Sequence, residues 1–205
     1  MLDLSPALRL STVLHAQAVA RSRDSLRAAP REPAPRPEPE TSTMTNLTLR
    51  PWRPADLEPC MKIWRAASEI GHPFLNRADL DADADLVRTI YMPATDITVA
   101  ERDGEIVGFI ALSDDFIGAL FVAPDVHRKG IGARLLAHVA RLYSALEVEV
   151  YVANAAARRF YTTAGFTEIL CQLTDDQGRP HPLVRMRRAA AAPVKSSTPP
   201  AAPPS

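Results

Sequence analysis

The stretch Phe116–Leu136, FIGALFVAPDVHRKGIGARLL, predicts a strand, a turn and the start of a helix in that order. The run Ile117–Val122 within it is apolar and rich in residues that favour strands. Pro124 follows this run and interrupts the strand pattern. The strand is therefore expected to end shortly before a turn that contains two glycines.

The helix after this turn is predicted to be amphipathic. Apolar residues recur at spacings of four and three, which places them on one side of a helix, while basic residues fall on the other side. The packed face is predicted to carry Leu135, Val139 and Leu142, and the solvent face Arg134, His138 and Arg141.

The turn has features that suit a phosphate group. The first backbone N–H groups of a helix lack partners, and the helix dipole gives this end about half a positive charge. Gly130 and Gly132 have no Cβ atom, so a ligand can approach the main chain, and Arg128 and Lys129 add positive charge. The turn therefore predicts a pyrophosphate site, with a purely structural strand-to-helix turn as the alternative.

Two common phosphate motifs do not fit this turn. Lys129 precedes the glycines, unlike the lysine of a P-loop, and Leu135 stands where the dinucleotide fingerprint has a third glycine or alanine. The remaining pattern resembles motif A of the GNAT superfamily, the GCN5-related N-acetyltransferases, which reads [QR]-x-x-G-x-[GA] after a strand. His127 stands where that family usually has Gln or Arg.

A second motif supports the same resemblance. The segment Val150–Phe166 predicts the end of a strand, a short helix and a glycine before the next strand. It resembles GNAT motif B, N-x-x-A-x-x-F-Y-x-x-x-G-F. The matching residues are Asn154, Ala157, Phe160, Tyr161, Gly165 and Phe166. The strings GHPFL, DLVR, ALFVAPDV and GRPHPL further resemble the bacterial YjaB-type group of small acetyltransferases.

The resemblance implies that acetyl-CoA is bound and that its acetyl group passes directly to a primary amine in a ternary complex. In the family the pantetheine arm pairs with an exposed strand edge, here near Phe121, and Asn154 reaches that arm. Tyr161 is implied as the general acid that protonates the departing thiolate, with a packing role beside Phe160 as the alternative. The residues implied in cofactor binding are Phe121, Val122, Arg128, Lys129, Gly130, Ile131, Gly132, Ala133, Asn154 and Phe160.

Several residues are candidates on the acceptor side. In this family the segment after the first helix lines the acceptor site, and here it reads GHPFLN, which makes His72 and Phe74 candidate substrate contacts. The alternative for His72 is a solvent-facing or core histidine. The candidate bases for the amine proton are Glu69, His72, Asp114 and Asp115, and a water chain without a dedicated residue would serve equally.

No metal site is predicted. The acidic string DLDADAD at residues 79–85 imitates a calcium loop but lacks its glycine and its final glutamate. It instead predicts the acidic first turn of a helix that runs to about Tyr91.

The remaining patterns complete the predicted order of elements. Residues 47–50 alternate as a first strand, and 54–71 have helical spacing. Residues 97–113 predict a hairpin that turns at Asp103 and Gly104, and 183–187 predict a last strand. The predicted fold class is α/β, in an α+β layered form. The resemblance implies the GNAT or acyl-CoA N-acyltransferase fold, with a mixed, mostly antiparallel central sheet flanked by helices.

Proline usage divides the chain of 205 residues, because eleven of its nineteen prolines lie before residue 40 or after residue 192. Residues 44–188 are predicted to form one GNAT domain. Residues 1–43, rich in Pro and Arg, are predicted to be a disordered arm or to precede a natural start at Met44. Residues 189–205 are predicted to be a disordered Ala/Pro tail.

Charge and cysteine usage limit the partners. Residues 44–188 contain 17 Lys and Arg against 19 Asp and Glu, a difference of −2, which is too small to recruit nucleic acid or an anionic membrane. No apolar run is long enough for a membrane helix. Cys60 and Cys171 are predicted to be free, buried thiols in a reducing cytoplasm. A cytoplasmic monomer or homodimer is expected.

The predicted function is that of an acetyl-CoA-dependent N-acetyltransferase whose acceptor is a small amine or a protein lysine or N-terminus. The alternative is a GNAT-fold module that binds CoA as a sensor or regulatory partner without turnover, because His127 departs from motif A.

Overall fold

The computed structural model describes residues 46–189, in which a seven-stranded sheet carries helices on both faces. The strands are β1 (Leu47–Pro51), β2 (Asp96–Arg102), β3 (Glu105–Ser113), β4 (Phe116–Val122), β5 (Ala145–Tyr151), β6 (Thr167–Gln172) and β7 (Leu183–Ala189). The helices are α1 (Leu57–Gly71), α2 (Arg77–Leu86), the single turn α3 (Met92–Ala94), α4 (Ile131–Val139) and α5 (Ala155–Thr163). The predicted order of elements is confirmed.

The strands lie side by side in the order β1-β2-β3-β4-β5-β7-β6. Every neighbouring pair is antiparallel except β4 and β5, which are parallel. The predicted mixed, mostly antiparallel sheet is therefore confirmed. The β2–β3 hairpin turns at Asp103 and Gly104, whose φ angles of 54° and 85° are those that a tight hairpin turn of this kind requires.

The parallel strands β4 and β5 separate soon after they meet. They pair only at Phe116 with Glu147 and at Ile117 with Val148, whereas β4 continues along β3 as far as Val122. The β3–β4 register shifts at Gly118, which stands as an extra residue in β4 and bends that strand. The space between Gly118–Val122 and the second half of β5 is called the β4–β5 gap below.

Gly108 allows β3 to approach β4 closely beside this gap. A Cβ atom at residue 108 would lie 2.9 Å from the carbonyl oxygen of Phe121, closer than side chains and backbone normally pack. Residue 108 therefore has to be glycine. The close packing of β3 against β4 at this point holds the part of β4 that borders the gap.

The sheet separates two apolar cores. One packs β3, β4, β5 and β7 against α4 and α5, and the other packs β2 and β3 against α1, α2 and α3. Burial of apolar surface contributes about 25 cal/mol for each Å² removed from water, so both helix layers are held by their apolar faces.

The acidic segment begins a helix, as predicted. The Asn76 side chain accepts the N–H of Asp79 at 2.9 Å, and the Asp79 carboxylate accepts the N–H of Asn76 at 3.2 Å, which closes a reciprocal cap. The helix does not stop at Tyr91, because a π-turn at Val87–Tyr91 carries it on into α3.

Two predictions about burial are wrong. Leu142 is 68% exposed, because α4 ends at Val139 and a tighter turn rotates Leu142 away from the core. Both cysteines are free and Cys60 is buried, but Cys171 is exposed on the edge strand β6. Ala189 belongs to β7, one residue beyond the predicted domain end. The predictions for residues 1–43 and for the rest of the C-terminal tail lie outside the described residues.

Between residues 46 and 189, no helix combines the length and the apolar character needed to cross a bilayer. The same residues contain no group of three or more His, Cys, Asp or Glu side chains arranged to hold a metal ion.

Candidate active site

A cavity of about 470 Å³ lies on the side of the sheet covered by α1, α2 and α3. The β4–β5 gap opens into it, since Gly118–Phe121 on one strand and Val148–Tyr151 on the other border the space. Asn154, Ala157 and Tyr161 border it as well. The cavity therefore connects the α5 side of the sheet with the acceptor side predicted from the sequence.

The glycine turn lies beside the end of β4. Gly130 has φ 78°, and a Cβ added there would meet no protein atom within 4 Å. A Cβ on Gly132 would lie 3.7 Å from the Phe160 ring and 3.7 Å from Val122 Cγ2. The first turn of α4 is therefore packed against Val122 and Phe160 at Gly132. The space above Gly130 is open, so a ligand can approach the main chain there.

The other residues of this turn differ in what they can offer. The Ile131 side chain is only 3% exposed and belongs to the core, so its backbone N–H is the group that can face a ligand. Arg128, Lys129 and Ala133 are exposed. Arg128 has φ 61°, a left-handed conformation that turns the chain toward Gly130.

His127, the residue that departs from motif A, has a structural partner. Its Nε2 lies 2.8 Å from the carbonyl oxygen of Val122. This hydrogen bond ties the glycine turn to the last residue of β4. The sequence alone gave no sign of this contact, because it depends on how the turn folds back.

Tyr161 stands where the cavity meets α5 and is 6% exposed. Its ring packs edge-on against Phe160 at 5.1 Å and against Phe166 at 5.2 Å. Burial raises the pKa of Tyr161 above its usual value, so the phenol keeps its proton at neutral pH.

Asn154 has a structural role as well as a place on the cavity. Its Oδ1 accepts the N–H of Ala157 at 3.0 Å and so caps the first turn of α5. Its amide nitrogen lies against Gly71, where an added Cβ would be 3.2 Å away. Asn154 therefore joins α5 to the end of α1.

Four aromatic side chains form a cluster beside the acceptor side of the cavity: His72, Phe74, Tyr151 and His181. The ring centroid of His72 lies 5.0 Å from that of Tyr151, and the ring centroid of Phe74 lies 5.0 Å from those of Tyr151 and His181. Burial, and then the charge of Arg179, lower the pKa of His72 to about 4. His72 borders the cavity as a neutral ring, whereas Phe74 packs behind it and does not border the cavity. The substrate contacts of both residues stay predictions.

Two of the four candidate bases lie away from the cavity. Glu69 pairs with Arg65 at 2.9 Å and stays exposed on α1. Asp114 occupies the exposed turn between β3 and β4, with φ 54°. Asp115 does border the cavity, as does His72. The positions of Glu69 and Asp114 therefore do not favour either residue as the base, and the identity of the base stays a prediction.

The sequence reasoning missed two carboxylates on β5. Leu146, Val148 and Val150 face the core under α4 and α5, so the alternation of a strand turns Glu147 and Glu149 to the cavity. The signal was present in the string LEVEV at residues 146–150, read as a strand with one acidic face.

Glu149 is the first acidic residue of β5 beyond its pairing with β4. Its carboxylate is 8% exposed, and its Oε1 accepts from Arg185 at 2.7 and 3.0 Å and from Gln172 at 3.0 Å. Arg185 also approaches Glu147 at 3.8 Å. The Glu149 carboxylate is therefore held in place beside the gap.

The cavity wall carries more acidic than basic side chains. Arg185 is the only Arg or Lys that residues 46–189 contribute to it. The acidic residues on the wall are Asp83, Asp115, Glu147, Glu149, Asp175 and Asp176. Such a wall favours a cation over an anion.

Arg179 joins the loop between β6 and β7 to helix α2. Its guanidinium contacts Asp175 at 2.5 Å, Asp83 at 3.0 and 3.2 Å, and the Tyr151 hydroxyl at 3.2 Å. The Asp175 side chain is completely buried and also accepts the Tyr151 hydroxyl at 3.1 Å. Arg179 therefore fixes the outer wall of the cavity.

Replacing Arg179 by methionine keeps the length of the side chain but leaves the Asp175 charge buried without its cation. We expect the free energy of unfolding to fall by about 2 kcal/mol, measured by urea denaturation. Arg158→Met is the matched control, because Arg158 contacts Glu168 at 2.6 Å but both side chains are more than a third exposed. That variant should lose less than about 1 kcal/mol. Equal losses would contradict the special role of the buried pair.

The fold and the site together define a class of protein: a mixed sheet whose parallel central strands separate beside a glycine turn is the architecture of a GNAT N-acetyltransferase. A family model described as "Acetyltransferase (GNAT) domain" matches residues 93–168. The chain is 33% identical over 141 residues to the peptidyl-lysine N-acetyltransferase YjaB of Salmonella typhimurium, covering 68% of this chain and 97% of that protein. The chain therefore belongs to the GNAT family of acetyltransferases, and it is itself an acetyltransferase.

Two further comparisons agree. The chain is 32% identical over 127 residues to the peptidyl-lysine N-acetyltransferase YiaC of Escherichia coli, covering 62% of this chain and 87% of that protein. Its fold matches the solution structure of apo-form YjaB from Escherichia coli with a TM-score of 0.65 and 31% identity, over 71% of this chain and 99% of that one. The predicted resemblance to the YjaB-type group is thereby confirmed.

Proposed function

We propose that this enzyme transfers the acetyl group of acetyl-CoA to the primary amine of a lysine side chain in a protein, by direct attack within a ternary complex. The observation that carries the proposal is the β4–β5 gap, which opens onto an acidic cavity with Tyr161 at the junction. The names of the relatives, peptidyl-lysine N-acetyltransferases, support the choice of acceptor. The catalytic domain is proposed to be residues 44–188, extended to Ala189 by its pairing in β7.

The pyrophosphate of the cofactor is proposed to bind at the first turn of α4. The backbone N–H groups of Ile131, Gly132 and Ala133 have no partners within the helix and point toward its N-terminus. Arg128 and Lys129 would add positive charge beside them. Most of these contacts would come from backbone N–H groups. The pyrophosphate site would therefore not depend on the side chain of residue 127, where this chain has histidine.

The pantetheine arm is proposed to enter the β4–β5 gap as an added strand. The edge of β4 from Gly118 to Val122 is not paired with β5, and an extended chain can use such an edge for hydrogen bonds. Val122 and Phe160 would flank the arm where it leaves the glycine turn, and the Asn154 amide nitrogen would reach it further in. A backbone N–H near Phe121 would then polarise the thioester carbonyl.

The cofactor site predicts an effect of adding one methyl group. Gly130→Ala places a Cβ in the open space above the turn, so the dissociation constant for CoA should rise about tenfold, equivalent to about 1.4 kcal/mol. Isothermal titration calorimetry with CoA measures this directly. Because residue 130 has a positive φ, the variant also carries backbone strain.

Gly104→Ala is a control that separates the effect of backbone strain from the effect of filling the space for CoA. Gly104 has φ 85°, and its added Cβ also meets nothing within 4 Å, but it lies in the β2–β3 turn. The two variants should lose similar stability, and only Gly130→Ala should bind CoA more weakly. Unchanged CoA affinity in Gly130→Ala would contradict the proposed cradle.

The acceptor is proposed to arrive as a lysine ammonium drawn in by the acidic wall. Attack requires a neutral amine, so the proton must leave first. We propose that Glu149 accepts it, directly or through one water, because its carboxylate lies beside the gap and is held by Arg185. His72 also borders the cavity, and it stays the alternative acceptor of this proton.

Tyr161 is proposed to complete the reaction. After the amine adds to the thioester carbonyl, the carbon–sulfur bond breaks and the sulfur leaves with its electron pair. The neutral phenol of Tyr161 can give that sulfur a proton, so that CoA departs as a thiol, and the phenolate regains a proton from the nitrogen as the amide forms.

An acceptor panel tests this function. Purified protein and acetyl-CoA are mixed with a lysine peptide with a blocked N-terminus, with a lysine-free peptide with a free N-terminus, and with small amines, and thiol release is followed. The proposal expects fastest release with the lysine peptide. Faster release with the lysine-free peptide or the small amines would replace lysine as the acceptor, and CoA binding without release on any acceptor would support the sensor alternative.

A further inference from the structure

Two buried hydroxyl groups that border the cavity, those of Ser68 and Ser113, have no hydrogen-bond partner among the described residues. Ser68 of α1 is 1% exposed, and its Oγ makes no hydrogen bond within residues 46–189. The residue borders the cavity. A serine inside a helix usually bonds to the carbonyl one turn earlier or points to solvent, and Ser68 does neither. Unsatisfied buried hydroxyls are rare enough to require a physical explanation.

The position of Ser68 follows from its neighbours on α1. Trp64, four residues earlier, shares its face of the helix, and His72 directly follows the end of α1. The centroid of the Trp64 ring lies 6.5 Å from that of Phe121, and the centroid of the His72 ring lies 5.0 Å from that of Tyr151. Phe121 lies on β4 and Tyr151 on β5, so α1 crosses from one edge of the β4–β5 gap to the other. Ser68 therefore lies above the gap itself.

From this placement we infer that the Ser68 hydroxyl holds the nitrogen of the incoming acceptor amine by a hydrogen bond while the amine faces the thioester in the gap. The inference rests on the proposed function, because it assigns a residue to the same acceptor site.

The chemistry of the surroundings fits this role. A hydroxyl oxygen accepts a hydrogen bond from an ammonium or from a neutral amine, so the contact survives the loss of the proton. The carboxylates of the wall attract the cation but do not by themselves orient the lone pair toward carbon. The Ser68 hydroxyl, a fixed hydrogen-bond acceptor on the side of the gap opposite β5, supplies that orientation. Correct orientation of the reacting groups accounts for much of the rate enhancement in such reactions.

Ser113 provides a matched comparison. Its Oγ is also buried without a partner among the described residues, and it borders the same cavity, but it lies at the end of β3, opposite Phe116. Phe116 is where β4 and β5 are still paired, and it is five residues along the strand from Phe121, roughly 16 Å. The inference gives Ser113 no contact with the amine.

The test uses Ser68→Ala and Ser113→Ala in the full chain, with a lysine peptide and acetyl-CoA. Ser68→Ala should lower kcat/KM for the peptide about tenfold, the effect of one lost hydrogen bond, while the dissociation constant for CoA stays within about twofold. Its melting temperature should stay level or rise, because a buried unpaired hydroxyl is removed. Ser113→Ala should show the same thermal behaviour with kcat/KM within about twofold of wild type.

The outcomes separate the two claims. Wild-type kcat/KM in Ser68→Ala would overturn the inference and leave the acetyl transfer intact. A clear fall in melting temperature, or failure of Ser68→Ala to fold, would show that the hydroxyl serves the structure and would also overturn it. An equal activity loss in Ser113→Ala would show that the effect is not specific to the gap and would overturn the inference as well. No thiol release by the wild-type enzyme would overturn both the inference and the function on which it rests.

Discussion

Replacing Tyr161 by phenylalanine is expected to lower kcat by about tenfold to a hundredfold, because the phenol is proposed to protonate the sulfur of the departing CoA. The ring should stay in place, since its edge-on contacts with Phe160 and Phe166 do not involve the hydroxyl. The dissociation constant for acetyl-CoA should therefore change by less than about twofold. Stopped-flow measurement of thiol release with saturating lysine peptide gives kcat directly.

The expected size follows from the environment of the phenol. General acid catalysis is typically worth about a hundredfold to ten-thousandfold. Burial raises the pKa of Tyr161 above the usual value of about 10, whereas an ordinary thiol has a pKa of about 8.5. Proton transfer from this phenol to a free thiolate is therefore uphill, which places the effect at the low end of the range.

Tyr143→Phe serves as the control for Tyr161→Phe. Tyr143 is also partly buried with a raised pKa, but it follows α4 and does not border the cavity. Its replacement should leave kcat within about twofold of wild type. If Tyr161→Phe kept wild-type kcat, or if both variants lost the same activity, the assignment of Tyr161 as the acid would be wrong.

Replacing Glu149 by glutamine is expected to lower kcat/KM for the lysine peptide about a hundredfold, within the range for loss of a general base. Glutamine has nearly the same shape but cannot accept a proton from the ammonium. The amide oxygen can still accept from Arg185 and Gln172, so the local packing should survive. Acetyl-CoA binding should be little affected, because β5 contributes no group to the glycine turn.

Glu147→Gln distinguishes a base from a general attraction for cations. Glu147 lies on the same face of β5, but it faces Phe116 where the strands are still paired, and its carboxylate is 24% exposed. Its loss should raise KM for the peptide about threefold through weaker attraction, with kcat unchanged. Equal effects of both variants on kcat would contradict the assignment of Glu149.

Local sequence patterns were sufficient to predict most of the fold. The strand, glycine turn and helix within 116–136 follow from residues adjacent in the chain, and the Asp103–Gly104 hairpin depends only on turn chemistry. Alternation, helical spacing and turn residues gave the order of the remaining elements, and this order agrees with the one that the GNAT resemblance implies. Leu142 was misplaced because the end of α4 is set by a tightening of the last turn, which apolar spacing does not report.

The acceptor side could not be predicted in the same way, because it is assembled by distant segments. Glu149 matters only because β4 and β5 separate beside it, and Ser68 only because α1 crosses that separation. Phe74 was expected to contact substrate, yet His181 from the far end of the chain packs against it. Contacts between residues about a hundred positions apart leave no periodic signal in the sequence.

The most direct measurement of the central claim is the initial rate of thiol release as acetyl-CoA and a lysine peptide are varied together. Direct attack across the β4–β5 gap requires both substrates at once, so double-reciprocal plots should intersect. Parallel lines would indicate an acetylated enzyme intermediate and would contradict the account, as would an absence of acetyl-lysine in the product peptide.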